Sequence, residues 1–395
     1  MVMIDFNYYA PTRVLLGRGK EDEVPSLVRE YGGSRVLVHY GGGSAVRSGL
    51  LARIESGLKA AGIEYVTLGG VVPNPRLSMV HKGIALCREQ GVDFLLAVGG
   101  GSVIDSCKAI SMGYSYDGDV WDFYDGKAVP SSWLPVGCVL TIPAAGSEMS
   151  DSSVITNDAL GLKKGYNTDG YRCRFAVMDP ELTYTLPAWQ TACGAVDIMM
   201  HTMERYFSRG EDMAVTDALA EGLLRTVLNV APKVLADPCN YELRSQLMWA
   251  SSLSHNGLTG CGLTGDWATH KLEHELSGMF DVSHGAGLAA VWGSWARYVM
   301  DADLPRFVRF AVNVMGVEQD FRSQEATAEA GICALEDFFR SLDMPVSIHG
   351  LIGRQITDAE IEEMADKCSR GGTFEIGGVK RLGRGDMVNI YRLAR

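Results

Sequence analysis

The chain lacks any Lys/Arg run longer than two residues, and it lacks any stretch of 18 apolar residues. The first absence excludes the basic patch or stripe that a nucleic-acid surface needs. The second excludes a membrane-spanning helix. Cysteine is scarce and scattered, with nine residues and no CxxC pair, which argues against a disulfide framework and for thiols in a reducing compartment. The opening MVMIDFNYYAPT has neither the basic start nor the apolar core of a signal peptide. A cytoplasmic protein is expected, with no nucleic-acid or membrane partner. The net charge of −12 favours solubility, yet leaves room for an anionic ligand in a local pocket.

What is present suits a large buried core. Hydrophobic residues make up 47% of the 395 positions and charged residues 21%, close to the globular average. The length predicts two domains. The first half alternates short β-branched runs, Arg35–Tyr40, Glu64–Leu68, Asp93–Val98 and Val136–Ile142, with stretches of helical spacing at Ser44–Ala61, Leu77–Gln90 and Val103–Met112. That alternation predicts βαβ units and a parallel sheet. After Asp179–Pro187 nearly everything has helical period: Ala188–Ser208, Met213–Ala236, Tyr241–Asn256, Thr264–Met279, Gly285–Met300, Ala326–Ser341 and Asp358–Ser369. The expected organisation is an α/β domain over residues 1–185 and an all-α domain over 186–395.

Two GGGS tetrads, Gly41–Ser44 and Gly99–Ser102, each follow a predicted strand and open a predicted helix. Glycine there admits close backbone approach, and free N–H groups of a first helical turn receive a phosphate. Ser44 and Ser102 are candidate caps for those helices. Neither tetrad matches GxGxxG, so the usual dinucleotide fingerprint is absent. The stretch His39-Tyr40-Gly41-Gly42-Gly43-Ser44 holds no acid, and Arg47 follows one turn on. NAD sites place a carboxylate at such a strand end, so its absence favours NADP(H) over NAD(H).

The chain has eight histidines. His255, His270, His274 and His284 fall within one 31-residue stretch. His201 stands four residues after Asp197, and His274 four after His270, so each pair shares one helical face. With His284, these side chains form a candidate site for a borderline divalent ion such as Fe²⁺ or Zn²⁺. The spacing leaves open which histidine of the second pair is the ligand. Lys271 stands where HExxH needs glutamate, which removes a zincin-type protease.

These stretches carry a resemblance. GGVVPNPR (Gly69–Arg76), AVGGGSVIDSCKAI (Ala97–Ile110), TIPAAGSEMS (Thr141–Ser150), VMDPELTYTLP (Val177–Pro187), VDIMMHTMERYF (Val196–Phe207) and DWATHKLEHELSGMFDVSHGAGLA (Asp266–Ala289) make the chain resemble the iron-containing alcohol dehydrogenase family over nearly its whole length. Its branch of NADPH-linked butanol dehydrogenases and broad aldehyde reductases is the most similar. The resemblance implies the two-domain fold shared with dehydroquinate synthase-like enzymes: a Rossmann-like dinucleotide-binding domain, then an all-helical domain with the metal in the cleft. It implies metal ligation by Asp197, His201, His270 and His284, with Fe²⁺ first and Zn²⁺ as the other candidate. It sets His274 apart on the nicotinamide side, where it is the candidate proton relay. It implies cofactor contacts from Asn74, Gly99, Gly100, Gly101, Ser102, Asp105, Thr141 and Lys163, with Gly41, Gly42 and Ser44 at the 2′-phosphate. Ser150 and Ser152 match variable pocket positions. A homodimer is the expected assembly.

The implied reaction is hydride transfer between NADP(H) and a small primary alcohol/aldehyde pair. The weighed alternatives keep the scaffold. One is a dehydroquinate synthase-like lyase, which needs a cluster of basic residues that Lys271, Arg205 and Arg297 do not supply. Another is a glycerol dehydrogenase-like polyol enzyme. The last is a non-catalytic metal-binding protein.

Overall fold

The computed structural model describes residues 4–209 and 213–395. The first three residues of the expected first domain therefore lie outside the described residues. The chain divides into two compact units. One comprises Tyr9–Leu186 and Cys239–Ser252; the other comprises the described residues of Met1–Tyr8, Pro187–Pro238 and Leu253–Arg395. The return of Cys239–Ser252 to the first unit is not contained in a single boundary at 185/186.

The first unit is built on strands β1 (Arg13–Leu16), β2 (Arg35–Gly41), β3 (Glu64–Val71), β4 (Phe94–Gly99), β5 (Val136–Leu140) and β8 (Phe175–Met178), in the order β1-β8-β5-β4-β2-β3. Every pairing among them is parallel. Their side chains alternate between two apolar layers. Val36, Val38, Phe94, Leu96, Val98, Phe175 and Val177 face one; Leu37, Leu95, Ala97, Cys138, Ala176 and Met178 face the other. Covered faces on both sides explain why the interior strands β2, β4, β5 and β8 are mostly apolar, while the edge strands β1 and β3 are part-exposed. Strands β6 (Ser152–Asn157) and β7 (Leu162–Asn167) form a separate antiparallel pair.

Helices of this unit are α1 (Val24–Glu30), α2 (Ser44–Arg47), α3 (Leu50–Ala60), α4 (Leu77–Gln90), α5 (Gly101–Gly113) and α6 (Trp121–Tyr124). The single helix expected over Ser44–Ala61 is two, because Gly49 adopts φ 73 and breaks it. The expected serine caps do not form. Gly43 caps α2 and Gly100 caps α5 without a side-chain bond, and Ser44 and Ser102 lie inside the helices.

The chain continues with α7 (Ala188–Tyr206), α8 (Ala214–Ala236), α9 (Tyr241–His255), α10 (Ala268–Phe280), α11 (His284–Val299), α12 (Leu304–Asn313), α13 (Gln324–Ser341), α14 (Ile348–Ile352), α15 (Asp358–Cys368) and α16 (Arg384–Ala394). Helix α11 packs on both α7 and α10. Two glycines set that packing. A Cβ on Gly285 would lie 2.1 Å from the Cys193 carbonyl oxygen of α7, and one on Gly287 would lie 2.8 Å from Cγ of Glu273 on α10. No helix among the described residues is long and apolar enough to cross a membrane.

Candidate functional site

Helix α7 is buried nearly all round by Ala192, Ala195, Val196, Ile198, Met199, Met200 and Met203. Into this apolar surface it sets Asp197, His201 and Glu204, all buried, at positions i, i+4 and i+7 of one face. Helix α10 presents His270, Glu273 and His274. His284 returns to the same point from beyond the end of α10. It opens the next helix, after Asp281 has turned the chain at φ 51.

Asp197 and the three imidazoles converge. Asp197 Oδ1 lies 3.1 Å from His201 Nδ1, 3.9 Å from His270 Nε2 and 3.8 Å from His284 Nε2. Both Asp197 Oδ1 and His270 Nε2 are buried without a hydrogen-bond partner. Such atoms are costly unless something binds them. Asp197, His201 and His270 each offer a ligand atom within 4.8 Å of the others. Burial alone would raise the Asp197 carboxyl, but the charges of His201, His284 and His270 hold it well below its ordinary value. Burial, with His201 and His284 beside it, pushes His270 well below the usual imidazole range. The cluster thus offers an ionised carboxylate and a neutral imidazole, the states that ligate a metal.

Each ring has a partner on Nδ1, and for His270 and His284 that partner lies on the side away from Asp197. His270 Nδ1 donates to Glu204 Oε1 at 2.8 Å, and that oxygen also accepts the His270 main-chain N–H at 2.9 Å. His284 Nδ1 bonds Glu273 Oε2. His201 Nδ1 donates to the Asp197 carbonyl at 3.1 Å. A partner on Nδ1 fixes the tautomer and turns the Nε2 lone pair outward. Burial raises Glu204 to about 7, against the main-chain N–H groups of His270 and Trp267. Sequence reasoning missed Glu204 and Glu273. The signal was a glutamate on the ligand face of each helix, seven residues after Asp197 and three after His270. His274 is buried, its ring 5.9 Å from that of His284. Glu273, His274 and His284 form a second close group.

The sheet unit carries the expected cofactor residues. The strand order reverses between β2 and β4, and open α/β sheets bind ligands at the carboxyl ends of strands beside such a reversal. Gly41–Ser44 ends β2 and Gly99–Ser102 ends β4. The two loops are neighbours, since a Cβ on Gly41 would lie 3.8 Å from Val103 on the first turn of α5. Thr141 follows β5, its N–H bonded to the Gly99 carbonyl at 3.0 Å. Asn74, buried at φ 54, follows β3. Asp105 on α5 is buried; its Oδ2 accepts the Val154 N–H at 3.0 Å, and its Oδ1 is without a partner. Burial raises its carboxyl, against the charges of Lys108 and Lys163. Lys163 is buried on β7, whereas the adjacent Lys164 pairs with Asp125 at 2.7 Å.

Lys108 is a further residue that sequence reasoning missed. It is fully buried, and Nζ donates to the carbonyls of Ser147 at 2.7 Å, Ser150 at 2.9 Å and Ser152 at 2.8 Å. It braces the segment after Thr141 through these carbonyls and through Ser150 Oγ at 3.1 Å.

The model of the family described as "Iron-containing alcohol dehydrogenase" matches residues 11–180, and that of the "Fe-containing alcohol dehydrogenase family, C-terminal" matches residues 191–394. The chain belongs to the iron-containing alcohol dehydrogenase family. Its relatives include NADH-dependent butanol dehydrogenase A of Clostridium acetobutylicum, 40% identical over 392 residues covering 99% of each chain. They also include NADPH-dependent aldehyde reductase YqhD of Escherichia coli, 38% identical over 403 residues covering 100% of each. Among solved structures, the NADH-dependent butanol dehydrogenase A of Thermotoga maritima superposes with a TM-score of 0.95 at 35% identity, covering 99% of each chain. Within this family the chain is an alcohol/aldehyde oxidoreductase that uses a metal and a nicotinamide cofactor.

Proposed function

We propose that the enzyme interconverts small aldehydes and primary alcohols with NADP(H) in preference to NAD(H), and that Asp197, His201, His270 and His284 hold one divalent ion, Fe²⁺ before Zn²⁺. The observation that carries the metal reading is the pair of buried, partnerless atoms, Asp197 Oδ1 and His270 Nε2, facing each other beside two further imidazoles. A bound ion supplies Lewis acidity toward a carbonyl oxygen, and the nicotinamide supplies the hydride. The chain does the rest. Glu204 and Glu273 orient His270 and His284. Burial of Asp197 within the packed helices keeps water from the carboxylate. His274, buried beside His284, is the group assigned to move a proton to the forming alkoxide.

Support for NADP(H) is the acid-free end of β2 and the position of Arg47, whose Nη1 lies 3.0 Å from where a Gly43 Cβ would stand. The relatives are named for either cofactor, so the preference is this chain's own property. The test follows NADPH absorbance with butanal on anaerobically metal-loaded enzyme, with NADH alongside and pH–rate profiles of the parent and His274→Ala. The proposal predicts a higher kcat/KM with NADPH, and a limb of the profile missing in His274→Ala. A higher kcat/KM with NADH would overturn the cofactor assignment, and an unchanged profile would remove His274 from the relay. No turnover of aldehydes or alcohols with either cofactor would overturn the reaction.

A further inference from the structure

A fifth histidine touches the cluster without joining it. His255, the last residue of α9, is buried, and its ring centroid lies 4.0 Å from that of His201, the planes inclined at 63°. It is not among the ligand atoms that group with Asp197 and His270. Arg205, one turn beyond His201, ties the two histidines together. Its Nη1 donates to the His201 carbonyl at 2.8 Å and the Ser254 carbonyl at 3.1 Å, while Nη2 lies 3.2 Å from His255 Nδ1. The guanidinium stacks 4.7 Å from the ring centre of Trp267. That indole stands edge-on to His201, His255 and His270, at 6.3, 6.1 and 5.5 Å. Trp267 holds this place at φ 64, an uncommon conformation for a bulky residue. Gly260 makes room for the arginine stem, since a Cβ there would lie 2.9 Å from Arg205 Cδ.

The donor inventory fixes the state of His255. Arginine only donates, so His255 Nδ1 accepts and the ring proton sits on Nε2. The imidazole is neutral there, and it adds a wall beside His201 without adding charge. His270 and His284 are each oriented by a glutamate. His201 takes instead a carbonyl of its own helix.

We infer that His255, locked by Arg205, is a positioning residue that sets the ring plane of His201 and thereby the affinity and geometry of the metal centre. The inference rests on the metal assignment proposed above. Its test uses Co²⁺ as the probe: chelator competition and the visible ligand-field spectrum of the full chain, with the thermal midpoint of the metal-free protein measured alongside. The parent should bind one Co²⁺ per chain. His255→Ala should lower affinity about tenfold or more, the scale for lost outer-shell support, and should alter the spectrum while the metal-free midpoint stays near the parent's. His255→Asn keeps, in its side-chain oxygen, an acceptor for Arg205 and should recover most of the parental spectrum. Parental affinity and spectrum in His255→Ala would overturn the inference. So would a loss that only follows a lowered metal-free midpoint and is not relieved by His255→Asn. Should His255→Ala fail to fold, Arg205→Lys decides. A single ammonium cannot hold the carbonyls and Nδ1 together, so the spectrum must change, and an unchanged one overturns the inference. A parent chain that binds no Co²⁺ would instead overturn the metal assignment itself.

Discussion

At the scale of single residues, buried polar groups in this chain are held in one protonation state by what surrounds them. His39 is the plainest case outside the metal cluster. It is fully buried on β2, donating from Nδ1 to the Leu68 carbonyl at 2.7 Å and accepting at Nε2 from Ser106 Oγ at 2.9 Å. Burial lowers its imidazole from 6.5 to about 4. Between those values the unfolded chain takes up the proton and the folded chain does not, so stability rises with pH across that window. At about 1.4 kcal/mol per unit, the whole contribution is about 3 kcal/mol. Urea unfolding at pH 4 and at pH 7 should therefore show a smaller rise in His39→Gln than in the parent, by roughly that amount. Equal rises in the two proteins would remove His39 from the pH dependence. Residue types at fixed spacing made Asp197, His201, His270, His274 and His284 visible as candidates, and only the family resemblance separated His270 from His274. Glu204, Glu273 and Arg205 were not visible, because a charged residue on a helix reads as solvent-facing until its burial is known.

At the scale of elements, the approach of α11 to α7 and α10 sets the site. His284 is the first residue of α11, and the next residue, Gly285, has no room for a Cβ against the Cys193 carbonyl. Gly285→Ala must push α11 off α7 and carry His284 away from Asp197. Loss of about 1–3 kcal/mol of stability is expected from overpacking against backbone, with weakened metal binding in the same variant. Chemical denaturation and chelator competition check both; a variant matching the parent in both would contradict the account of this packing. The same elements show where the sequence was readable. Strands β2, β4 and β5 were legible because covered faces make them apolar runs, and the edge strand β3 was legible from its short β-branched stretch. The strands β1, β6, β7 and β8 escaped. RVLL and FAVM are only four residues long, and LKKGYN carries two lysines and a glycine inside a strand. The helix α12 was not anticipated: it is short, with Pro305 in its first turn and two arginines along it. Those arginines are held: Arg306 and Arg309 pair with buried Asp217, each at 2.8 Å.

At the scale of the whole molecule, the proposed site assignments give each unit one half of the chemistry. The parallel sheet supplies glycine loops beside its reversal point, and the helical unit supplies a carboxylate and three imidazoles around two partnerless atoms. Glycine tetrads and histidine spacing pointed to both halves in the sequence. The return of Cys239–Ser252 to the sheet unit was not readable, since α9 has helical period throughout and nothing in a period says which unit a helix joins. The central claim is that oxidoreductase activity depends on an ion held by the cluster. The measurement that tests it most directly is metal content per chain, set against the rate of NADPH oxidation with butanal, in the parent and in His270→Ala at graded metal loading. The account predicts one ion per parent chain, turnover in proportion to occupancy, and loss of both in His270→Ala. Turnover by metal-free parent, or full metal content in His270→Ala, would contradict it.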